Sequence, residues 1–306
     1  MPDRMPTRLP PLLTAILHDL RLLAGQTGCW LALFVVTITS ALQYNGFVSL
    51  WKAPAGFLPG TGWYALLFFA FYAAGWLFNS LHPPDPSSRH TRRLCWILLI
   101  APLLFALKIT VPFPAWSNPT GTWRIGGEAA RWLGGWVLIT GSLGVLHFVL
   151  EGRPGLYYVR RSKQLRPYLL MLLLMTPLVV LVSNWTSFTQ AYPRAQHVTQ
   201  LYGSAARLAD YLLFETAYLL DFVSIELFFR GFLIAAVSQT AGRQVLLPAA
   251  LFYFSIHLGK PAAEAIGSFF GALVLGSAAR HTHSIWGGWL VHAGIALLLE
   301  LLAAVF

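Results

Sequence analysis

The chain has 306 residues, 57% of them hydrophobic and only 10% charged, where a soluble domain carries about 25% charged residues. Apolar runs near the length of a bilayer crossing recur along it, which argues against a soluble protein and for a polytopic membrane protein of all-α class, a membrane helix bundle. The net charge of +10 has no basic patch interleaved with aromatics behind it, so it is assigned to topology and anionic membrane lipid, and nucleic acid is set aside as a partner.

In chain order, residues 1–27 lack a signal-peptide pattern, because their apolar part is short and broken by His18, Asp19 and Arg21. They read as a cytoplasmic N-terminal segment with an interfacial amphipathic helix over 12–24. Five spans are expected within 28–186, at 28–49, 62–82, 94–113, 132–150 and 167–186. The stretch "HPPDPSSRH" (82–90) reads as a Pro/Ser turn. A core over 208–306 follows, with a sixth span at 208–238 that is long enough to be kinked or broken. The next, 245–258, rises only about 21 Å against a hydrocarbon core of about 30 Å. A segment that short usually turns inside protein and lines a cavity. Two more, 262–280 and 284–305, bring the total to about nine. With the N-terminus inside, thirteen Lys and Arg fall in inside segments and six outside, which favours an N-in orientation. Gly267 and Gly271 are spaced for close helix packing. Cys29 and Cys95 each open an apolar run, and no disulfide framework or thiolate metal site is indicated.

Ionisable side chains inside spans are costly and mark interiors or functional paths. Before residue 200 the main one is Lys108, whereas the last third holds Asp210, Glu215, Asp221, Glu226, Arg230, His257, Glu264, His292 and Glu300. Counted from the inner span ends, Arg230 and His292 lie roughly 12 Å deep and Glu226 and His257 roughly 18 Å, so three helices supply one layer. Asp221, Glu264 and Glu300 come out at roughly 24–26 Å. Glu226 and Arg230 share a helix face at i, i+4 with the acid first, the better order. Alone, that pair reads as a self-neutralising ion pair. With two histidines at its depth it gains chemistry. A carboxylate and an imidazole around one water can deprotonate it, a second imidazole can hydrogen-bond an oxyanion, and Arg230 would hold the acid ionised.

The stretches "IELFFRG" (225–231), "YFSIH" (253–257) and "HAGIA" (292–296) stand in order on successive helices, with "GKPAAEAIGSFFGALVLG" between the histidines. In this the last third resembles the CAAX protease and bacteriocin-processing (CPBP) family, intramembrane endopeptidases with Glu-Glu-x-x-x-Arg, Phe-x-x-x-His and His-x-x-x-Asn. The resemblance implies a multi-pass hydrolase of a bacterial inner membrane, a glutamate-dependent endopeptidase cleaving membrane-associated peptides or protein tails. It implies Glu226, Arg230, His257 and His292 as catalytic residues, with no cofactor. The chain departs from the pattern at three places. Ile225 stands where the family has its first, water-activating acid, Tyr253 stands for the Phe, and Ala296 for the Asn that assists the oxyanion. Three accounts stay open: Glu226 takes the base role, Asp221 on the face of Ile225 supplies the carboxylate, or the fold is a pseudoprotease that scaffolds a partner. Asp221 and Tyr253 are auxiliary candidates. A transporter is the further alternative, suggested by Lys108. A zinc variant would use His257, His292 and Glu226 as ligands with water in the open position, but the spacing is not His-Glu-x-x-His and Arg230 disfavours a dication.

Overall fold

A computed structural model describes residues 10–80, 88–112, 127–152, 154–160, 164–196, 198 and 207–305. Regular structure among the described residues is helical throughout, with no strand. Among the described residues, six helices are long and apolar enough to cross a membrane: Thr27–Tyr44, Phe57–Asn79, Ala129–Glu151, Arg166–Ser183, Ala262–Thr282 and Trp286–Ala303. Much of their apolar surface faces outward. Phe34, Val145, Leu173, Leu174 and Leu181 are all more than 60% exposed, which a bilayer accounts for and water does not.

The amphipathic N-terminal helix forms as α1 (Pro11–Ala24), opened by a proline at its first position, where no backbone N–H is needed. Its buried face, Leu12, Ile16 and Leu23 with Asp19, is turned onto the protein. There Asp19 accepts hydrogen bonds from Ser277 Oγ and Arg280 Nη2, each at 2.7 Å. Then come α2 (Thr27–Tyr44), α3 (Phe57–Asn79), α4 (Ser88–Thr110), α5 (Gly127–Glu151) and α6 (Arg166–Ser183). Residues 82–87 of the expected Pro/Ser turn lie outside the described residues, and α4 starts at Ser88. Pro167 stands second in α6, still within the first turn, where no intrahelical N–H is required.

The expected long sixth element is α7 (Leu208–Glu226), which continues through a π-helical stretch (Leu227–Ile234) into α8 (Ala235–Ala241). Asp210 anchors its start, accepting the backbone N–H of Arg207 at 2.8 Å in the manner of a capping residue. The irregularity anticipated there takes the form of a widened, π-helical stretch. π-Helical turns are rare and occur frequently at functional sites, and this one carries Arg230.

The short element is α9 (Leu246–Ser255), only ten residues long and buried at every position. At about 15 Å it cannot cross a bilayer, and its unbroken apolar sequence is explained by protein on all sides. Pro248 sits against Gly75 of α3, where any Cβ would collide with the proline backbone. Phe252 on α9 joins Phe68 and Tyr72 of α3, Phe105 of α4 and Phe228 and Phe229 of the π stretch in one aromatic core. Two long helices close the chain, α10 (Ala262–Thr282) and α11 (Trp286–Val305). The close packing expected at Gly267 and Gly271 is corrected here: a Cβ at either would meet nothing within 4 Å.

Polar contacts tie the first six helices to the last third at the turns that flank α9 and at the end of α10. Asn79 at the end of α3 donates to the carbonyl of Gln244, just before α9. Gln43 of α2 accepts the Gly259 N–H at 2.8 Å and donates to the Lys260 carbonyl, just after it. Lys108 of α4 reaches Asp221 of α7 at 2.6 Å, with both side chains about 90% buried. The backbone after α5 also docks, the Tyr158 carbonyl accepting the N–H of Ile285 ahead of α11.

Candidate functional site

The π stretch, α9 and α11 converge on the end of α7. Glu226, its last residue, is fully buried. Arg230 approaches its Oε1 at 3.1 Å, and His292 Nδ1 meets the same oxygen at 3.1 Å. The arginine contact is ionic rather than a hydrogen bond, since Nη1 lacks an aligned acceptor. A carboxylate beside a guanidinium accepts, so His292 Nδ1 carries the proton and Nε2 offers its lone pair. Glu226 Oε2 has no hydrogen-bond partner in the structure. It lies against Gly288 at the start of α11, where a Cβ would overlap it. The exposed member of the pair is therefore the imidazole. The His292 side chain is 18% accessible and that of Glu226 0%.

Tyr253 of α9 connects the remaining residues. Its ring lies under Arg230, 4.4 Å from Cζ, a cation–π distance. Its hydroxyl is 3.3 Å from Nε2 and 3.4 Å from Nδ1 of His292. Its backbone carbonyl accepts a 2.9 Å hydrogen bond from Nδ1 of His257, one turn on and just past the end of α9. The two rings are 4.7 Å apart. On the far side, Phe222 packs on the His292 ring at 4.2 Å.

The structure thus brings Glu226, Arg230, Tyr253, His257 and His292 into one group, buried except at the partly accessible His292. Asp221 has a different partner, its Oδ1 held by Lys108 at 2.6 Å and by Ser224 at 3.2 Å. Ile225 is partly buried in an apolar cluster with Phe222, Ala293 and Ala296. Three participants were not singled out from sequence. Gly288 gives Glu226 its room, and the signal was a small residue one turn before His292 in a greasy helix start. Gln43 fastens both sides of the loop after His257, and the signal was an uncharged amide at the end of an apolar span. Phe222 shows no signal beyond its apolarity. A cavity of about 520 Å³, lined by Leu165, Tyr168, Trp286, Gly287, Trp289 and Leu290, opens between α6 and the α11 turn that carries Gly288.

Chemically, the group holds a fully buried carboxylate beside a guanidinium, a partly accessible imidazole in contact with it, and a second imidazole whose Nδ1 is committed to backbone. That can take a proton from a water molecule. Residues 208–298 match the family model of the Rce1-like type II CAAX prenyl endopeptidases. The match spans α7 to most of α11 and includes every residue of the buried group. No curated protein and no solved structure matches the chain. The molecule is a multi-pass integral membrane protein whose last third is similar to a family of membrane proteases.

Proposed function

We propose that the protein is an intramembrane endopeptidase that hydrolyses membrane-associated peptides or protein tails with water activated at the Glu226–His292 pair. The observation that carries this is the shared oxygen of Glu226, held by Arg230 and His292 at 3.1 Å each, with the imidazole as the accessible member. In this scheme Glu226 makes the reaction glutamate-dependent without touching water. Its charge orients His292 and stabilises the imidazolium that forms when Nε2 takes the proton of water, as in other carboxylate–histidine pairs. Arg230 supplies the countercharge to Glu226 at 3.1 Å. His257, locked by the Tyr253 carbonyl, forms the other wall. The loss of an acid at Ile225 is then tolerable, because the pair that remains is complete.

The scheme needs no metal, and the Arg230 cation beside Glu226 opposes a dication there. Lys108, whose charge suggested a transport path, is neutralised by Asp221. Counting α4, the α7–α8 helix and buried α9 with the six long apolar helices gives about nine membrane segments. The lysine and arginine distribution supports an inside N-terminus. A catalytically silent scaffold is the second reading, favoured by Ile225 and Ala296. The test is cleavage of single-span peptides by purified protein in liposomes, with excess chelator present. His292→Ala should abolish cleavage and leave the protein folded, and full activity in that variant would refute the proposal.

A further inference from the structure

The hydrogen-bond inventory of the site leaves one task without an obvious donor. His292 spends its Nδ1–H on Glu226 and His257 spends its Nδ1–H on the Tyr253 carbonyl. With Nδ1–H spent in this way, each imidazole has Nε2 as an acceptor and no second N–H to donate. Arg230 is 2% exposed and lies between Glu226 and the face of the Tyr253 ring. Ala296, one turn beyond His292 and buried against Phe222 and Ala293, has nothing to donate. Peptide hydrolysis nevertheless places negative charge on the former carbonyl oxygen, and a preorganised donor aimed at that oxygen supplies much of the rate.

The neutral O–H in reach is that of Tyr253. It sits 3.3 Å from His292 Nε2, the atom proposed to take the proton of water. The residue is buried, its ring fixed by Arg230, by the His257 ring and by Phe229 at 4.8 Å. We infer that Tyr253 is a catalytic residue, its hydroxyl being the hydrogen-bond donor to the oxyanion. This rests on the endopeptidase reading of the same site.

Before substrate binds, the tyrosine hydroxyl lies over the His292 ring, 3.3 Å from Nε2 and 3.4 Å from Nδ1, and leaves the in-plane lone pair of Nε2 open. When a peptide carbonyl enters, the O–H turns to the carbonyl oxygen. Water then adds to the carbonyl carbon, its proton passes to Nε2, and the π-electron pair moves onto the oxygen held by the tyrosine. When that pair returns, the C–N bond breaks and the leaving amine takes the proton from Nε2. One water is consumed and one carboxylic acid and one amine are released. The tyrosine keeps its own proton throughout.

The test uses full-length protein in liposomes and a pool of quenched-fluorescence peptides carrying an oligoleucine span and randomised juxtamembrane residues. Wild type, Glu226→Gln and Tyr253→Phe are compared. Tyr253→Phe deletes only the hydroxyl and leaves the ring beneath Arg230. Its kcat should fall about 10²- to 10³-fold, the usual loss for one oxyanion donor, with KM changed less than about twofold. A phosphinic analogue of the best-cleaved sequence, which mimics the tetrahedral oxygen, should bind more weakly by a similar factor. If Glu226→Gln is inactive while Tyr253→Phe keeps its kcat within about threefold of wild type, the inference is overturned and the endopeptidase reading stands. A fall in kcat with unchanged affinity for the phosphinate also overturns it, because the hydroxyl would then be structural. Absence of cleavage by the wild type, or full activity of Glu226→Gln, would overturn the reading itself and the inference with it.

Discussion

Replacing Gly288 with alanine adds one methyl group at the back of the Glu226 carboxylate. Its Cβ would overlap Oε2 and lie 3.2 Å from Cδ and 4.0 Å from Oε1, whereas non-bonded carbons settle at about 3.5–4.0 Å. The obstructed atoms are the far end of a flexible side chain, so the carboxylate yields and the helix stays. A retreat on the order of 1 Å breaks the 3.1 Å contact between Oε1 and His292 Nδ1, which lies near the limit of a hydrogen bond. A misplacement of about 1 Å costs about 10²-fold in rate. Backbone stability should change little, since alanine is favoured over glycine in a helix by about 1 kcal/mol. Kinetic parameters and the thermal midpoint of the liposome-reconstituted variant check both halves, with Gly267→Ala as a control whose Cβ meets nothing within 4 Å. A wild-type rate in Gly288→Ala would refute the idea that the position of Glu226 governs the chemistry.

Three further outcomes are expected. Lys108→Met should lower the thermal stability by about 3–5 kcal/mol, because it strands a buried Asp221, while Lys108→Met with Asp221→Leu should recover most of the loss; equal stability of the single and double variants would show that the pair does not matter. Gln43→Ala should cost about 1–3 kcal/mol through unsatisfied backbone groups at 259–260 and speed amide exchange over residues 256–261, and unchanged exchange there would contradict its role in holding His257. At Asp19, burial favours the neutral acid, but the hydrogen bonds from Arg280 and Ser277, the Arg280 charge and His281 outweigh it and hold the carboxyl below its ordinary value of 3.8. A group depressed on folding stabilises above its unfolded value and loses that contribution as pH falls through the folded one, so α1 should loosen from α10 only below pH 3.8, as read by amide exchange over 11–24, and Asp19→Asn should remove the pH dependence.

Much of the site is visible in sequence because charge inside a membrane segment has few explanations. Glu226, Arg230, His257 and His292 stand out against apolar neighbours, and a rise of 1.5 Å per residue places them in one layer before any coordinates are considered. The shortness of α9 is equally legible from span length. What sequence does not convey is partner choice. Asp221 and Glu226 are both acids in one helix five residues apart, yet one faces Lys108 and the other His292, and only the packing of α4 and α11 decides which. Nor do small residues announce what they face. Gly267 and Gly271 have the spacing of an interface, yet a Cβ at either would meet nothing within 4 Å, whereas Gly288, with no spacing motif, borders the carboxylate. The role of Gln43 depends on α2 meeting a loop more than 200 residues away, which no local pattern encodes.

The most direct test of the central claim is the cleavage rate of Glu226→Gln. Glutamine keeps the shape and can still accept from His292 Nδ1, so only the negative charge is lost. If that charge orients His292 and stabilises its protonated form, kcat should fall by about 10³-fold or more while the protein remains folded and membrane-inserted. Glu226→Gln cleaving at the wild-type rate would contradict the claim that a buried carboxylate–imidazole pair activates water in this protein.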